Sequence, residues 1–115
     1  MLNNTNNNFL FIVPPAIQGD SVEDKEIILH QMAEISCSVS GNPLPTIVWY
    51  KDEQELFFDN YNVFSENDNQ KLAILKPDED DSGIYSCVAS SAVGHARKDT
   101  NLTVLSKTLF FLLII

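Results

Sequence analysis

The sequence predicts an all-β domain, a sandwich or barrel of short strands. Three observations lead there. Apolar residues recur at alternate positions through most of the chain, the period of a strand with one buried face. Clusters of Gly, Pro, Asn and Asp interrupt these runs about every 8–12 residues, as turns do in such folds. No segment of helical length carries an apolar stripe of 3.6-residue period.

The 115 residues suit one domain with short tails. A chain of this size buries roughly two-thirds of its unfolded surface, which supports a single core. Its apolar fraction of 44% is that of ordinary globular proteins. Sixteen acids against seven bases leave a net charge of -9. That argues against nucleic-acid partners, whose phosphates need a basic face. It argues equally against docking on anionic membranes. An acidic surface is well solvated, and it steers basic partners. Cys37 and Cys87 are the two cysteines, with no C-x-x-C or His/Cys cluster near them, so a zinc site is not expected. They form either one disulfide or two free thiols.

Met1–Asn8 is mostly Asn without periodicity and is expected to be disordered. Phe9–Val13 is apolar but has neither the basic start nor the length of a secretory signal. It reads as a first edge strand ending at Pro14-Pro15, where a missing donor is tolerated. From Ile27 onward the alternation is regular. In MAEISCSV, Ala33, Ile35, Cys37 and Val39 face one way, and Glu34, Ser36 and Ser38 the other. SGNPLP is a turn, because Gly and Pro break both helix and ladder. TIVWYK follows as a strand with Ile47 and Trp49 on one side. DEQEL turns back, and NVFSE is a short strand closed by DNQ. KLAIL places Leu72 and Ile74 on one face, and PDEDDSG is a loop. IYSCVAS aligns Tyr85, Cys87 and Ala89. SAVGHA turns a hairpin around Gly94, and DTNLTVL sets Leu102 and Val104 inward with Asn101 and Thr103 outward.

Trp49 lies twelve residues after Cys37, and Cys87 lies fifty after it, with Tyr85 two before Cys87. This Cys…Trp…Leu-x-Ile…Asp-x-Gly-x-Tyr-x-Cys set, in phase with the inward alternation, resembles an immunoglobulin domain. The spacing leaves little room for the extra hairpin of variable domains. GNPLPTIVWYKD, LAIL and DSGIYSCVASSAVGHA look like the intermediate (I-set) type. They are similar to modules of hemicentins, other matrix and adhesion proteins, and titin-like muscle proteins. The likeness implies an immunoglobulin-like β-sandwich of two antiparallel sheets with Greek-key connections. It implies that Cys37 and Cys87 bridge the sheets and that Trp49 packs on the bridge. Closing a loop of about fifty residues is worth roughly 4 kcal/mol in the chain-entropy model. Tyr85 would form the tyrosine corner, with Gly83 admitting the turn and Asp81 accepting its backbone donors. Leu72 completes the core signature. One departure stands out: Pro77 replaces a small or apolar residue at the end of its strand, which is expected to stop early. The domain is expected over 14–105, after a leader and edge strand over 1–13 and before an apolar tail over 106–115.

Candidate chemistry is sparse. His30 and His95 have no nucleophile placed beside them by a motif, and no cofactor is implied. Asp78–Asp81 lack the alternating ligands and fixed glycine of a calcium loop. Asn3 and Asn101 open Asn-x-Thr sequons, so both are candidate glycan acceptors. Phe57 and Phe58 in LFFDNY are a candidate partner patch if both are exposed. Leu109–Ile115 as a helix would rise only about 10 Å against a hydrocarbon core of roughly 30 Å. It is part of a membrane span or a segment without function.

The resemblance implies an extracellular adhesion or matrix module of a larger protein, binding proteins or spacing neighbouring domains. Its contacts would be homophilic or heterophilic, without nucleic acid or small-molecule substrate, and with a membrane only if the tail belongs to a span. The second expectation is a structural I-set domain of an intracellular titin-like filament protein, with its cysteines kept as thiols. Enzyme activity is expected only elsewhere in a longer protein, such as a kinase or peroxidase region.

Overall fold

A computed structural model describes residues 11–115. Short alternating runs become the strands β1 (Val13–Ile17), β2 (Val22–Ile28), β3 (Ala33–Ser36), β4 (Val39–Asn42) and β5 (Thr46–Lys51). They continue as β6 (Gln54–Glu55), β7 (Val63–Glu66), β8 (Lys71–Ile74), β9 (Gly83–Ser91) and β10 (Gly94–Leu105), before helix α1 (Lys107–Ile114). One sheet has the order β2-β10-β9-β5-β6 and a second the order β3-β8-β7, while β1 pairs with β4. The chain leaves β6 for the second sheet, makes the β7–β8 hairpin there, and returns as β9 beside β5. This is a two-layer immunoglobulin-like sandwich. All its pairings are antiparallel except β2 with β10, which is parallel.

The period-two phase determines the core. Ala33, Ile35, Cys37, Ile47, Trp49, Leu72, Ile74, Tyr85, Cys87, Ala89, Leu102 and Val104 form one buried cluster, against which Val39 packs. Ala73 is buried in the opposite phase, because β8 is the middle strand and Glu34 and Phe64 flank Ala73 in register. β8 ends at Ile74, short of Pro77. Pro77 is itself buried, and its carbonyl accepts the His30 N–H at 2.9 Å.

The edges depart from expectation. The first strand does not stop at the prolines but begins at Val13 and runs through both; Phe9 and Leu10 lie outside the described residues. Its register with β4 shifts between Val13 and Ala16, because two residues without N–H cannot continue the ladder. Its partner is Val39–Asn42, so Gly41 and Asn42 belong to a strand as well as to the expected turn. β2 lies in VEDKE, where both faces are exposed and no alternation shows. The tail is helical, started by the Ser106 hydroxyl, which accepts the Leu109 N–H at 3.1 Å. No described helix is long and apolar enough to cross a membrane.

Candidate interaction surface

The core signature residues form a scaffold for the surface. Cys37 and Cys87 are joined by a disulfide with their Cα atoms 6.4 Å apart. Trp49 stands opposite Cys87 in the β5–β9 register, and its indole N–H donates to the Asn69 carbonyl at 2.8 Å. Leu72 is fully buried in the facing sheet. The Tyr85 hydroxyl donates to the Asp81 carbonyl at 2.6 Å. Burial, then the Asp81 carboxylate, pushes this phenol well above its ordinary range.

The acids around this corner act as backbone caps. Asp78 Oδ1 accepts from the Asp80 N–H and Asp81 Oδ2 from the Asp78 N–H, at 3.0 and 2.8 Å. No group of three or more His, Cys, Asp or Glu side chains among the described residues is placed to hold a metal. Gly83 has a reason that its motif did not reveal. A Cβ there would lie 2.8 Å from Asp52 Oδ2, and Asp52 is held in place because its Oδ1 accepts the Ile84 N–H at 3.0 Å.

The segment after β6 displays apolar surface on a rigid support. The Leu56 N–H donates to the Trp49 carbonyl at 2.9 Å. Leu56 and Phe58 then pack against the core, while Phe57 between them is 79% exposed. Phe57 and Phe58 are therefore not a paired patch, since successive side chains of an extended segment point opposite ways. The second exposed aromatic is Tyr61, at 85%. Asp59 fixes the turn between them. Its Oδ1 accepts the N–H groups of Tyr61, Asn62 and Val63 at 2.9, 2.9 and 3.0 Å. These bonds, that from Val63 foremost, hold its carboxyl below the ordinary range. A groove of about 190 Å³ runs along Val48, Glu55 and Phe57, and one of about 260 Å³ along Tyr61, Leu75 and Lys76. Tyr61 was not singled out in the sequence, although the Asp at the head of DNY is a turn signal.

The outer face of the five-stranded sheet is polar by comparison. Arg97 crosses it, pairing with Glu53 and Asp99 and donating to the Ser86 hydroxyl at 3.0 Å. The hydrogen bonds that the guanidinium donates to these carboxylates, Glu53 first, raise it further above its ordinary range. Val48, partly exposed, pairs in register with Val88, which pairs with Arg97. Asn101 is exposed farther along this face; Asn3 lies outside the described residues. His30 and His95 are exposed and far apart in the chain.

The family model of the immunoglobulin I-set domain matches residues 15–104. The chain is 38% identical over 96 residues to mouse hemicentin-1, covering 81% of this chain and 2% of that one. It is 35% identical over 86 residues to mouse vascular endothelial growth factor receptor 2, covering 75% of this chain and 6% of that one. It thus spans a small fraction of these relatives' length. Among solved structures, the titin M10–obscurin-like 1 Ig complex superposes with a TM-score of 0.72 at 28% identity. That match covers 82% of this chain and 96% of the other.

Proposed function

The chain belongs to the immunoglobulin I-set family, and from that premise we propose that it is a protein-binding module of a longer extracellular adhesion, receptor or matrix protein. Its docking surface is the Leu56–Tyr61 segment and the two grooves beside it. The observation carrying this reading is the exposure of Phe57 and Tyr61 at 79% and 85% on backbone fixed by Leu56, Phe58 and Asp59. Rigid exposed aromatics are effective anchors, because they bury large apolar area at small entropic cost. The Cys37–Cys87 disulfide suits an oxidising compartment. A growth-factor receptor among the relatives supports the same side of the membrane.

A structural role in an intracellular filament is the second reading, favoured by the likeness to a titin complex. Two measurements separate the cases. On gels, native-source protein is expected to migrate faster unreduced than reduced; free thiols at Cys37 and Cys87 would remove the extracellular reading. Beads coated with the domain are expected to bind one another or a partner-bearing cell through Phe57 and Tyr61. Phe57→Ser with Tyr61→Ser should abolish that binding at unchanged melting temperature. Undiminished binding by the double variant would rule out this surface.

A further inference from the structure

We propose that Asn101 carries an N-linked glycan and that its first sugar covers the outer face of the five-stranded sheet beside Ile84. The inference rests on the extracellular reading above, since only a chain entering the secretory route meets the glycan donor. Asn101-Leu102-Thr103 is the acceptor pattern. The fold leaves the acceptor free. Asn101 lies within β10, whose backbone is paired to β2 on one side and β9 on the other. Its side chain is exposed and makes no hydrogen bond among the described residues, whereas Leu102 next to it is buried. Thr103 follows on the same face, as alternate strand residues do.

The neighbours in register explain what the sugar would touch. Asn101 stands between Asp24 of β2 and Ile84 of β9. Ile84 is an exposed apolar side chain on this face, at 44%. Directly opposed side chains start about 5 Å apart, so the apolar face of an N-acetylglucosamine ring on Asn101 reaches Ile84. In the modifying step the Asn101 amide nitrogen attacks the anomeric carbon of a diphospholipid-linked oligosaccharide. The new C–N bond replaces the anomeric C–O bond, the lipid diphosphate leaves with the bonding pair, and the amide loses one proton to a base of the transferring enzyme. The glycan then covers the Ile84 end of this face and leaves the Phe57 and Tyr61 surface open.

The chain, with Asn3→Gln to silence the other sequon, is expressed behind a secretion signal in animal cells and weighed intact. The expected product carries one glycan, removed by an amidase that leaves aspartate at this position. Asn101→Gln and Thr103→Ala should each lose it, and Thr103→Ser should keep it. Radical footprinting should label Ile84 less before deglycosylation than after. A secreted, disulfide-bonded chain of unmodified mass overturns the site, and equal labelling of Ile84 overturns the shielding. Free thiols in native-source protein would instead overturn the extracellular reading, so the two failures are distinguishable.

Discussion

The indole N–H of Trp49 donates to the carbonyl of Asn69 at 2.8 Å, tying the core of one sheet to the β7–β8 turn of the other. The turn is built to present that carbonyl. Asn67, Asp68 and Asn69 all adopt positive φ, at 54°, 54° and 67°, a region that Asn and Asp enter at least cost. Trp49→Phe should therefore destabilise by about 2–3 kcal/mol, from the cavity and the unpaired carbonyl together. Urea unfolding followed by circular dichroism measures it; a loss under about 1 kcal/mol would mean that the bond adds little.

Tyr85→Phe removes the donor to Asp81 and should cost about 1–2 kcal/mol at neutral pH. It should also change the alkaline limb. Burial raises the folded pKa of Tyr85 above its unfolded value of about 10. The folded state therefore holds its proton after the unfolded chain has released it. This stabilisation is complete below about pH 10 and is lost as pH rises toward the folded value. Melting curves between pH 8 and pH 11 should fall less steeply for the Phe variant than for the parent.

Gly83→Ala should cost about 1–3 kcal/mol, because its Cβ displaces Asp52 from the Ile84 N–H. In an Asp52→Gly background the same change should cost less, since the obstructing carboxylate is gone and glycine suits the φ of 49° at that position. A double-mutant cycle reads the coupling. Additive costs would show that the backbone of Gly83, and not Asp52, sets the requirement.

Cys37→Ala with Cys87→Ala opens a bridge spanning 50 residues. The expected loss is about 4 kcal/mol, a large share of the ~5–15 kcal/mol of a typical domain. The variant should unfold at much lower denaturant, with the parent in reductant behaving alike.

Removing residues 106–115 should leave stability within about 0.5 kcal/mol, because α1 contributes no buried residue. The apolar side chains Leu109, Phe111 and Leu112, each about half exposed or more, should instead make the longer chain the more prone to self-associate. Sedimentation of the two lengths at matched concentration checks this, and a lowered melting temperature of the shorter one would contradict it.

The acidic turn fixed by Asp59 was only partly legible. Its three backbone bonds lower the Asp59 pKa, yet the sequence showed just a polar break between LFF and NVF. The same stretch suggested Phe57 and Phe58 together. Which ring enters the core follows from Leu56, whose N–H is held by Trp49 across the strand pair. That bond is not a local property. Arg97 is a similar case, since Glu53 comes to it from another strand connection.

Read alone, the sequence determined the core and its phase: the inward set from Ala33 to Val104, the cysteine pair, Trp49 and Tyr85. Alternation reports the contrast between a dry and a wet face, and that contrast is written locally. The tertiary structure alone decided the edges. β2 is a strand because β10 offers it a ladder, and β1 is one because Gly41 lets its proline-bearing backbone approach, with Pro14 O 3.3 Å from where a Cβ would stand. VEDKE in β2 is wet on both faces and carries no contrast to read, and the prolines of β1 interrupt its alternation, so only their distant partners reveal them.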